Sequence, residues 1–184
     1  NIFFLSFDAY GVFPPIAKLN PQQAAYLFIS GYTSKVAGTE AGITEPQTTF
    51  SSCFGAPFMP LHPTKYAEML SAKVEETGVN VWLINTGWNG QKKRMSLKDT
   101  RAVINAALNG ELDNAEFKQD KFFGFEVPVA IEGVDAEKLN PATSFASEEA
   151  YEENAQILAD KFKKNFEKFA EFATPELLSG GPLI

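Results

Sequence analysis

The sequence has few of the residues that form covalent crosslinks or metal cages. Its 184 residues include one cysteine, Cys53, and one histidine, His62. A single cysteine excludes an intrachain disulfide and is typical of a reducing, cytoplasmic setting. One cysteine and one histidine also exclude a Cys/His metal cage. Because no second histidine is available as an activating base, Cys53 is predicted to be a buried, inert thiol.

Long apolar runs and excess positive charge are also missing. No stretch reaches the roughly 20 apolar residues that a transmembrane helix requires, so we expect no membrane association. The net charge of −7 argues against a general nucleic-acid binder. Asn1–Phe7 has a strand pattern without an initiator methionine or the basic start of a signal peptide, so we expect a fragment of a longer protein.

What the sequence does have is 45% hydrophobic residues, among them 17 phenylalanines, which indicates one domain with an aromatic-rich core. Its patterns predict an α/β (α+β) fold in which a mixed β-sheet is flanked by helices. The first strand is expected to be buried on both faces. Strands are predicted near residues 2–7, 80–85 and 122–131, and helices near residues 21–30, 64–77, 97–108 and 148–172.

The most informative stretch is Asn85–Arg101, which lies between a predicted buried strand and a helix that begins at Ser96. It contains two glycines, Trp88 and the basic triplet Lys92–Arg94, and its last ten positions hold five basic residues against one acidic residue. Positive side chains and free N–H groups at a helix N-terminus favour an anion, most simply a phosphate. The alternative is a surface connection that happens to be basic, and the residues alone leave both open.

Three other places have two interpretations. Ser30–Gly55 contains four glycines and little apolar periodicity, which indicates a long loop without secondary structure, either an active-site lid at about residues 33–52 or a flexible insertion. Asp8 follows the first strand and is expected to cap the next turn, although a site role is the alternative. His62 precedes a helix and is expected to be structural.

Several segments, in this order, resemble ATP-dependent phosphoenolpyruvate carboxykinases. The N-terminal Phe-Asp-Ala-Tyr-Gly-Val-Phe-Pro-Pro resembles a signature segment of that family, and Ser30–Gly55 resembles its mobile active-site lid. Two further segments, Asn85–Gly90 and Arg94–Arg101, resemble its adenine-side nucleotide segment. The similarity extends from Asn1 to about Leu178.

The resemblance implies a single C-terminal domain, residues 1–184, that forms the nucleotide-binding lobe of a gluconeogenic carboxy-lyase. Such an enzyme converts oxaloacetate and ATP to phosphoenolpyruvate, ADP and carbon dioxide, with Mn²⁺ and Mg²⁺ as metal ions. Three ATP contacts are implied: Arg94 near the base and ribose, Met95 packed on the adenine with backbone groups offered to its edge, and Thr100 through its hydroxyl. These implied contacts change the expected ligand of the basic loop from a phosphate to the adenosine part of ATP.

In family members the P-loop, the metal ligands and the substrate-binding arginines lie upstream, together with the N-terminal domain. The Gly-Lys-Thr that ends the P-loop does not occur in this sequence. We therefore expect no catalytic or metal-binding residue here and no activity of the chain alone. The alternative is a stand-alone nucleotide-binding or regulatory module without catalysis.

The sequence departs from the family pattern at two places. Ala41 stands where many relatives have arginine, and Gln91-Lys92-Lys93 stands where relatives often have Thr-Gly-Lys. Both differences concern the electrostatics of the lid and the shape of the basic loop.

Overall fold

The computed structural model of the protein describes residues 1–35, 42 and 47–184. Its strands, in chain order, are β1 (Ile2–Ser6), β2 (Ile16–Leu19), β3 (Tyr32–Lys35), β4 (Gln47–Phe50), β5 (Val81–Asn85), β6 (Phe117–Gln119) and β7 (Glu126–Pro128). Its α-helices are α1 (Pro21–Ser30), α2 (Pro63–Thr77), α3 (Leu97–Leu108), α4 (Ala136–Leu139), α5 (Glu148–Phe166) and α6 (Pro175–Leu178). The predicted fold class, a mixed sheet flanked by helices, is confirmed.

The main sheet has five strands in the order β1-β5-β2-β7-β6. Strand β1 pairs parallel with β5, with Ser6 opposite Asn85, and β2 pairs antiparallel with the other side of β5. Because β1 and β5 run in the same direction, the loops that follow them leave from the same edge of the sheet. This arrangement brings residues 7–15 beside residues 86–96.

Two apolar clusters cover the two faces of the sheet, and the first confirms the aromatic-rich core. Phe13 is at its centre, with ring centroids 5.1 Å from Phe123 and 5.3 Å from Tyr32. Phe162 of α5 packs against the same rings and is fully buried. The second cluster joins Trp82 of β5 to α3. The apolar stripe of the long C-terminal helix is therefore core packing, as its spacing indicates.

Strand β1 is not buried on both faces, so that prediction is wrong. Among the described strands β1 pairs with β5 alone and lies at the edge of the sheet, and the Leu5 side chain is 60% exposed. An apolar run cannot by itself distinguish a central strand from an edge strand, because both present the same residue types.

The predicted strand at residues 122–131 is also largely wrong, since β7 covers only Glu126–Pro128. The Asp120 carboxylate accepts hydrogen bonds from the backbone N–H groups of Phe122 and Phe123, and Gly124 has a φ of +67°. These contacts form a turn, so the alternating phenylalanines are buried by a bend and not by a strand. The helix predicted at residues 148–172 is α-helical only as far as Phe166 and continues as a 3-10 helix over residues 167–172.

The segment predicted as a lid begins and ends in a two-stranded antiparallel hairpin. In it Tyr32 lies opposite Phe50 and Lys35 lies opposite Gln47. The expectation that this segment lacks secondary structure is therefore wrong at its two ends. Residues 36–41 and 43–46, which include Ala41 and the Gly-Thr-Glu and Ile-Thr-Glu-Pro sequences, lie outside the described residues, and the lid stays a prediction.

Candidate functional site

Asn85, the last residue of β5, joins the two loops at the carboxyl edge of the sheet. Its side-chain oxygen accepts hydrogen bonds from the backbone N–H groups of Asp8 (3.1 Å) and Gly87 (2.8 Å). Its amide nitrogen donates to the carbonyl oxygen of Phe13 at 2.9 Å. Since the side chain is buried and satisfied, Asn85 is a structural link between residues 7–13 and residues 86–96.

Asp8 organises the first of these loops. One carboxylate oxygen accepts the backbone N–H of Tyr10 (2.8 Å) and the hydroxyl of Tyr32 (2.6 Å). The other accepts the backbone N–H groups of Val12 (2.6 Å) and Phe13 (2.8 Å). Burial raises the pKa of Asp8, although these four hydrogen bonds oppose the shift. The structure thus confirms that Asp8 caps the turn, and it also links this turn to β3.

Two glycines allow the loops to pack backbone to backbone. A Cβ atom on Gly87 would lie 2.3 Å from the backbone nitrogen and oxygen of Asp8. A Cβ atom on Gly11 would lie 2.4 Å from the carbonyl carbon of Asn89, and Gly11 also has a φ of +73°. Larger residues at either position would push the loops apart.

The basic loop itself is closed by its own hydrogen bonds. The Asn89 side-chain oxygen accepts the backbone N–H groups of Gln91 (3.1 Å) and Lys93 (2.9 Å), while the Met95 N–H donates to the carbonyl oxygen of Gly87 (2.9 Å). At the tip of the turn Lys92 has a φ of +56°, a left-handed conformation that favours glycine. Lys92 therefore occupies a strained backbone position.

The N-terminus of α3 is capped as predicted, and an acidic residue lies in its first turn. The Ser96 hydroxyl accepts the backbone N–H of Asp99 (3.0 Å) and donates to its carboxylate (2.8 Å). Lys138 of α4 donates to the same carboxylate oxygen at 3.0 Å. Burial acts to raise the pKa of Asp99, but the hydrogen bonds from Ser96 and Lys138 and the charges of Lys138 and Lys98 outweigh it, so this pKa is lowered.

A cavity of about 410 Å³ lies between the basic loop and the segment around α4. Of the three residues predicted to contact a nucleotide, Arg94 and Met95 line this cavity, and Thr100 does not. Thr100 is half-buried in the first turn of α3, with its N–H bound to the Ser96 carbonyl oxygen at 2.9 Å. The Met95 backbone N–H is bound to the Gly87 carbonyl oxygen at 2.9 Å, so this donor is not free for an adenine.

The Arg94 side chain is exposed, but two contacts fix its position. Its guanidinium carbon lies 5.0 Å from the centre of the Phe7 ring, and its Nε–H donates to the carbonyl oxygen of Thr86 at 3.2 Å. Within the described part of the chain, no carboxylate forms an ion pair with this guanidinium. The positive charge is therefore available to a ligand. Sequence reasoning missed Phe7 because its contact depends on the pairing of β1 with β5.

The lone cysteine and histidine are structural. Burial raises the pKa of the Cys53 thiol to about 11, which keeps it protonated and unreactive. His62 caps α2, with its Nδ1 accepting the Thr64 backbone N–H at 3.4 Å. In the described ranges, no group of three or more His, Cys, Asp or Glu side chains could hold a metal ion. The described residues therefore do not fit a manganese or magnesium ion, the metals that the resemblance implies for the longer protein.

The described helices include none that is long and apolar enough to cross a membrane.

Comparison with known proteins identifies the family. A family model described as phosphoenolpyruvate carboxykinase matches residues 1–137. Over the whole chain, the sequence is 60% identical to phosphoenolpyruvate carboxykinase (ATP) of Flavobacterium johnsoniae and 56% identical to that of Christiangramia forsetii. It is 51% identical to the enzyme of Thermus thermophilus over 98% of the chain. Each match covers 35% of the relative, so the chain spans about a third of the length of these curated relatives. Matches of this extent and identity show that the chain belongs to the phosphoenolpyruvate carboxykinase family.

Proposed function

We propose that the chain supplies the adenosine-binding side of the ATP site in a cytoplasmic protein that converts oxaloacetate and ATP to phosphoenolpyruvate, ADP and carbon dioxide. The observation that carries this proposal is the position of Arg94 and Met95, which lie between the parallel pair β1–β5 and the N-terminus of α3. In open α/β sheets, ligands bind outside the carboxyl ends of the strands.

The electrostatics of the α3 N-terminus favour the adenosine over the phosphates. A phosphate would need free N–H donors at the helix N-terminus, and one of them, the Asp99 N–H, is already bound to the Ser96 hydroxyl. The lowered pKa of Asp99 keeps a carboxylate ionised in the same turn, where it disfavours a triphosphate, and the ion pair with Lys138 offsets part of this repulsion. Arg94 offers instead a planar cation that stacks on aromatic rings, which suits a purine base. These contacts support the shift of the ligand from a phosphate to the adenosine.

The remaining chemistry of the proposed reaction needs groups that the described residues do not provide. Phosphoryl transfer depends on neutralising the charge of the phosphates and on excluding water. We assign the metal ions and the phosphate-binding groups to the part of the relatives' length that this chain does not span. The hairpin β3–β4 would carry the lid that excludes water, and the Tyr32–Asp8 hydrogen bond connects that hairpin to the site.

The proposal is tested by titrating the ¹⁵N-labelled chain with adenosine and, separately, with tripolyphosphate while recording amide shifts. We expect adenosine to shift the signals of residues 86–100, and Arg94→Ala to weaken its binding. Lys92→Ala is the matched control, because Lys92 is also an exposed cation of the same loop but does not line the cavity. If tripolyphosphate shifts these signals and adenosine does not, the loop is a phosphate site and the proposal fails.

Catalysis is tested separately. We expect the 184-residue chain to show no ATP-dependent conversion of oxaloacetate to phosphoenolpyruvate with Mn²⁺ and Mg²⁺ present. Turnover by the chain alone would contradict the assignment of the metal and phosphate groups to residues outside it.

A further inference from the structure

The contact between Phe7 and Arg94 lies outside both apolar clusters of the core. Phe7 is the first residue after the edge strand β1, and its ring is half-buried. Arg94 lies in the basic loop, and its guanidinium carbon is 5.0 Å from the centre of that ring. Phe7 is not among the buried residues of either apolar cluster or the half-buried residues packed against them. Its described aromatic contact is with the arginine.

The guanidinium group is held from two directions. The Phe7 ring lies against it, and the Thr86 carbonyl oxygen accepts its Nε–H at 3.2 Å. Phe7 and Thr86 follow β1 and β5, so the pairing of these two strands sets the position of both contacts. A free arginine loses considerable side-chain entropy when a ligand fixes it. Here part of that entropy is lost during folding, before a ligand binds.

We propose that Phe7 is a positioning residue for ligand binding: its ring holds the Arg94 guanidinium at the carboxyl edge of the sheet, ready to contact the base and ribose of a nucleotide. This proposal rests on the proposed function, which assigns Arg94 to the adenosine. Phe7 does not itself touch the nucleotide in this arrangement. Its effect on affinity passes through Arg94.

The size of the effect follows from the exposure of the pair. An exposed cation–π contact is worth about 0.5–1 kcal/mol, so its loss reduces affinity by roughly two- to fivefold. Phe7→Leu removes the aromatic ring and keeps an apolar side chain of similar size. Phe7→Tyr keeps the ring and is expected to bind adenosine as the unchanged chain does.

The contact itself is observable before any ligand is added. The ring current of Phe7 shifts the NMR signals of the Arg94 side chain, and Phe7→Leu should return them to the values of an unstacked arginine. Phe4→Leu is the matched control, because Phe4 lies in β1, three residues before Phe7, but stacks on Phe28 with centroids 6.2 Å apart. It should leave the Arg94 signals unchanged. Unchanged Arg94 signals in Phe7→Leu would overturn the proposal.

A double-mutant cycle then tests the role in binding. Adenosine affinity is measured by amide-shift titration for the unchanged chain, Phe7→Leu, Arg94→Ala and the double variant. We expect Phe7→Leu to lose two- to fivefold, and the double variant to bind no more weakly than Arg94→Ala alone. Additive losses would show that Phe7 acts without Arg94 and would overturn the proposal.

The cycle also separates the two proposals from each other. If Arg94→Ala weakens adenosine binding and Phe7→Leu does not, the proposed function stands and the role of Phe7 is refuted. If Arg94→Ala has no effect on adenosine binding, the proposed role of Arg94 fails, and that of Phe7 fails with it. Thermal unfolding of each variant identifies losses that come from misfolding, and Phe7→Tyr then supplies the decisive comparison.

Discussion

Replacing Asp8 by asparagine should destabilise the protein far more than the change of one atom suggests. Each carboxylate oxygen accepts two hydrogen bonds, from Tyr10 and Tyr32 on one side and from Val12 and Phe13 on the other. Asparagine keeps one acceptor oxygen, which can serve Val12 and Phe13, and its NH₂ group then faces Tyr10 and Tyr32. The Tyr32 hydroxyl can turn and accept from this group, but the Tyr10 N–H cannot, so that hydrogen bond is lost.

Hydrogen bonds to a charged group contribute about 1.5–3 kcal/mol each, and those to a neutral group about 0.5–1.5 kcal/mol, so the lost bond and the two weakened ones at Val12 and Phe13 set an upper range of about 3–6 kcal/mol. The neutral amide recovers some of this, because burial disfavours the charged carboxylate, as the raised pKa of Asp8 shows. We therefore expect Asp8→Asn to lower the free energy of unfolding by about 3 kcal/mol. The measurement is urea denaturation at pH 7, followed by tryptophan fluorescence.

Tyr32→Phe is the matched comparison, because it removes one of the four hydrogen bonds and leaves the carboxylate in place. It should cost about 1–2 kcal/mol. Asp8→Asn should also disturb the neighbouring loop, since the Asp8 backbone carbonyl oxygen accepts the backbone N–H of Trp88 at 2.9 Å. A loss below about 1 kcal/mol for Asp8→Asn would refute the reasoning that the carboxylate holds the turn together.

Three further substitutions test other features of the site. Lys92→Gly relieves the left-handed backbone at φ +56° and should stabilise the chain by about 0.5–1 kcal/mol in urea denaturation, whereas Lys92→Ala keeps the strain and should give no gain. Gly87→Ala places a Cβ atom 2.3 Å from the Asp8 backbone and should cost about 2 kcal/mol or more and weaken adenosine binding. Gly55→Ala, with its nearest neighbour at 3.9 Å, is the control and should be close to neutral in both assays. Asp99 has a lowered pKa, so its contribution of about 1 kcal/mol is present above the unfolded value of 3.8 and is lost as the pH falls through the folded pKa. Urea denaturation between pH 7 and pH 2 should show that Asp99→Asn lacks this acid-dependent loss of stability. An unchanged pH dependence in the variant would contradict the assignment.

Local sequence signals predicted the elements that local chemistry specifies. The helix at Pro21 begins after Asn20, whose side chain caps it together with Gln23, and the helix at Leu97 begins after the Ser96 cap. Such caps act within four residues, so they can be recognised in the sequence. The fully buried strand β5 was equally recognisable from its apolar run.

Features that depend on distant partners were not predictable in the same way. Strand β2 has only four residues, and it is a strand because β5 supplies its hydrogen bonds. The hairpin β3–β4 pairs polar residues that have little apolar alternation. Residues 122–125 show the opposite case, since their alternating pattern is typical of a strand while Asp120 folds them into a turn.

The same distinction applies to the site. A basic loop before a capped helix was visible in the sequence, and so was the resemblance that assigned Arg94, Met95 and Thr100 to a nucleotide. The links through Asn85 and the Phe7 ring were not, because both require the register of β1 against β5. The polar Asn85 at the end of an apolar strand was the one available signal for the first of these links.

The backbone packing of the two loops has a consequence for how this site can change over time. Gly87 rests against the backbone of Asp8, Gly11 rests against that of Asn89, and the Trp88 and Met95 N–H groups bind main-chain oxygens. The side chains of Gln91 and Lys93 contribute little to this scaffold, since both are exposed and line the cavity. Substitution at these positions can therefore alter the charge presented to a ligand while the loop keeps its shape. Ligand preference and folding are separated here at the level of single residues.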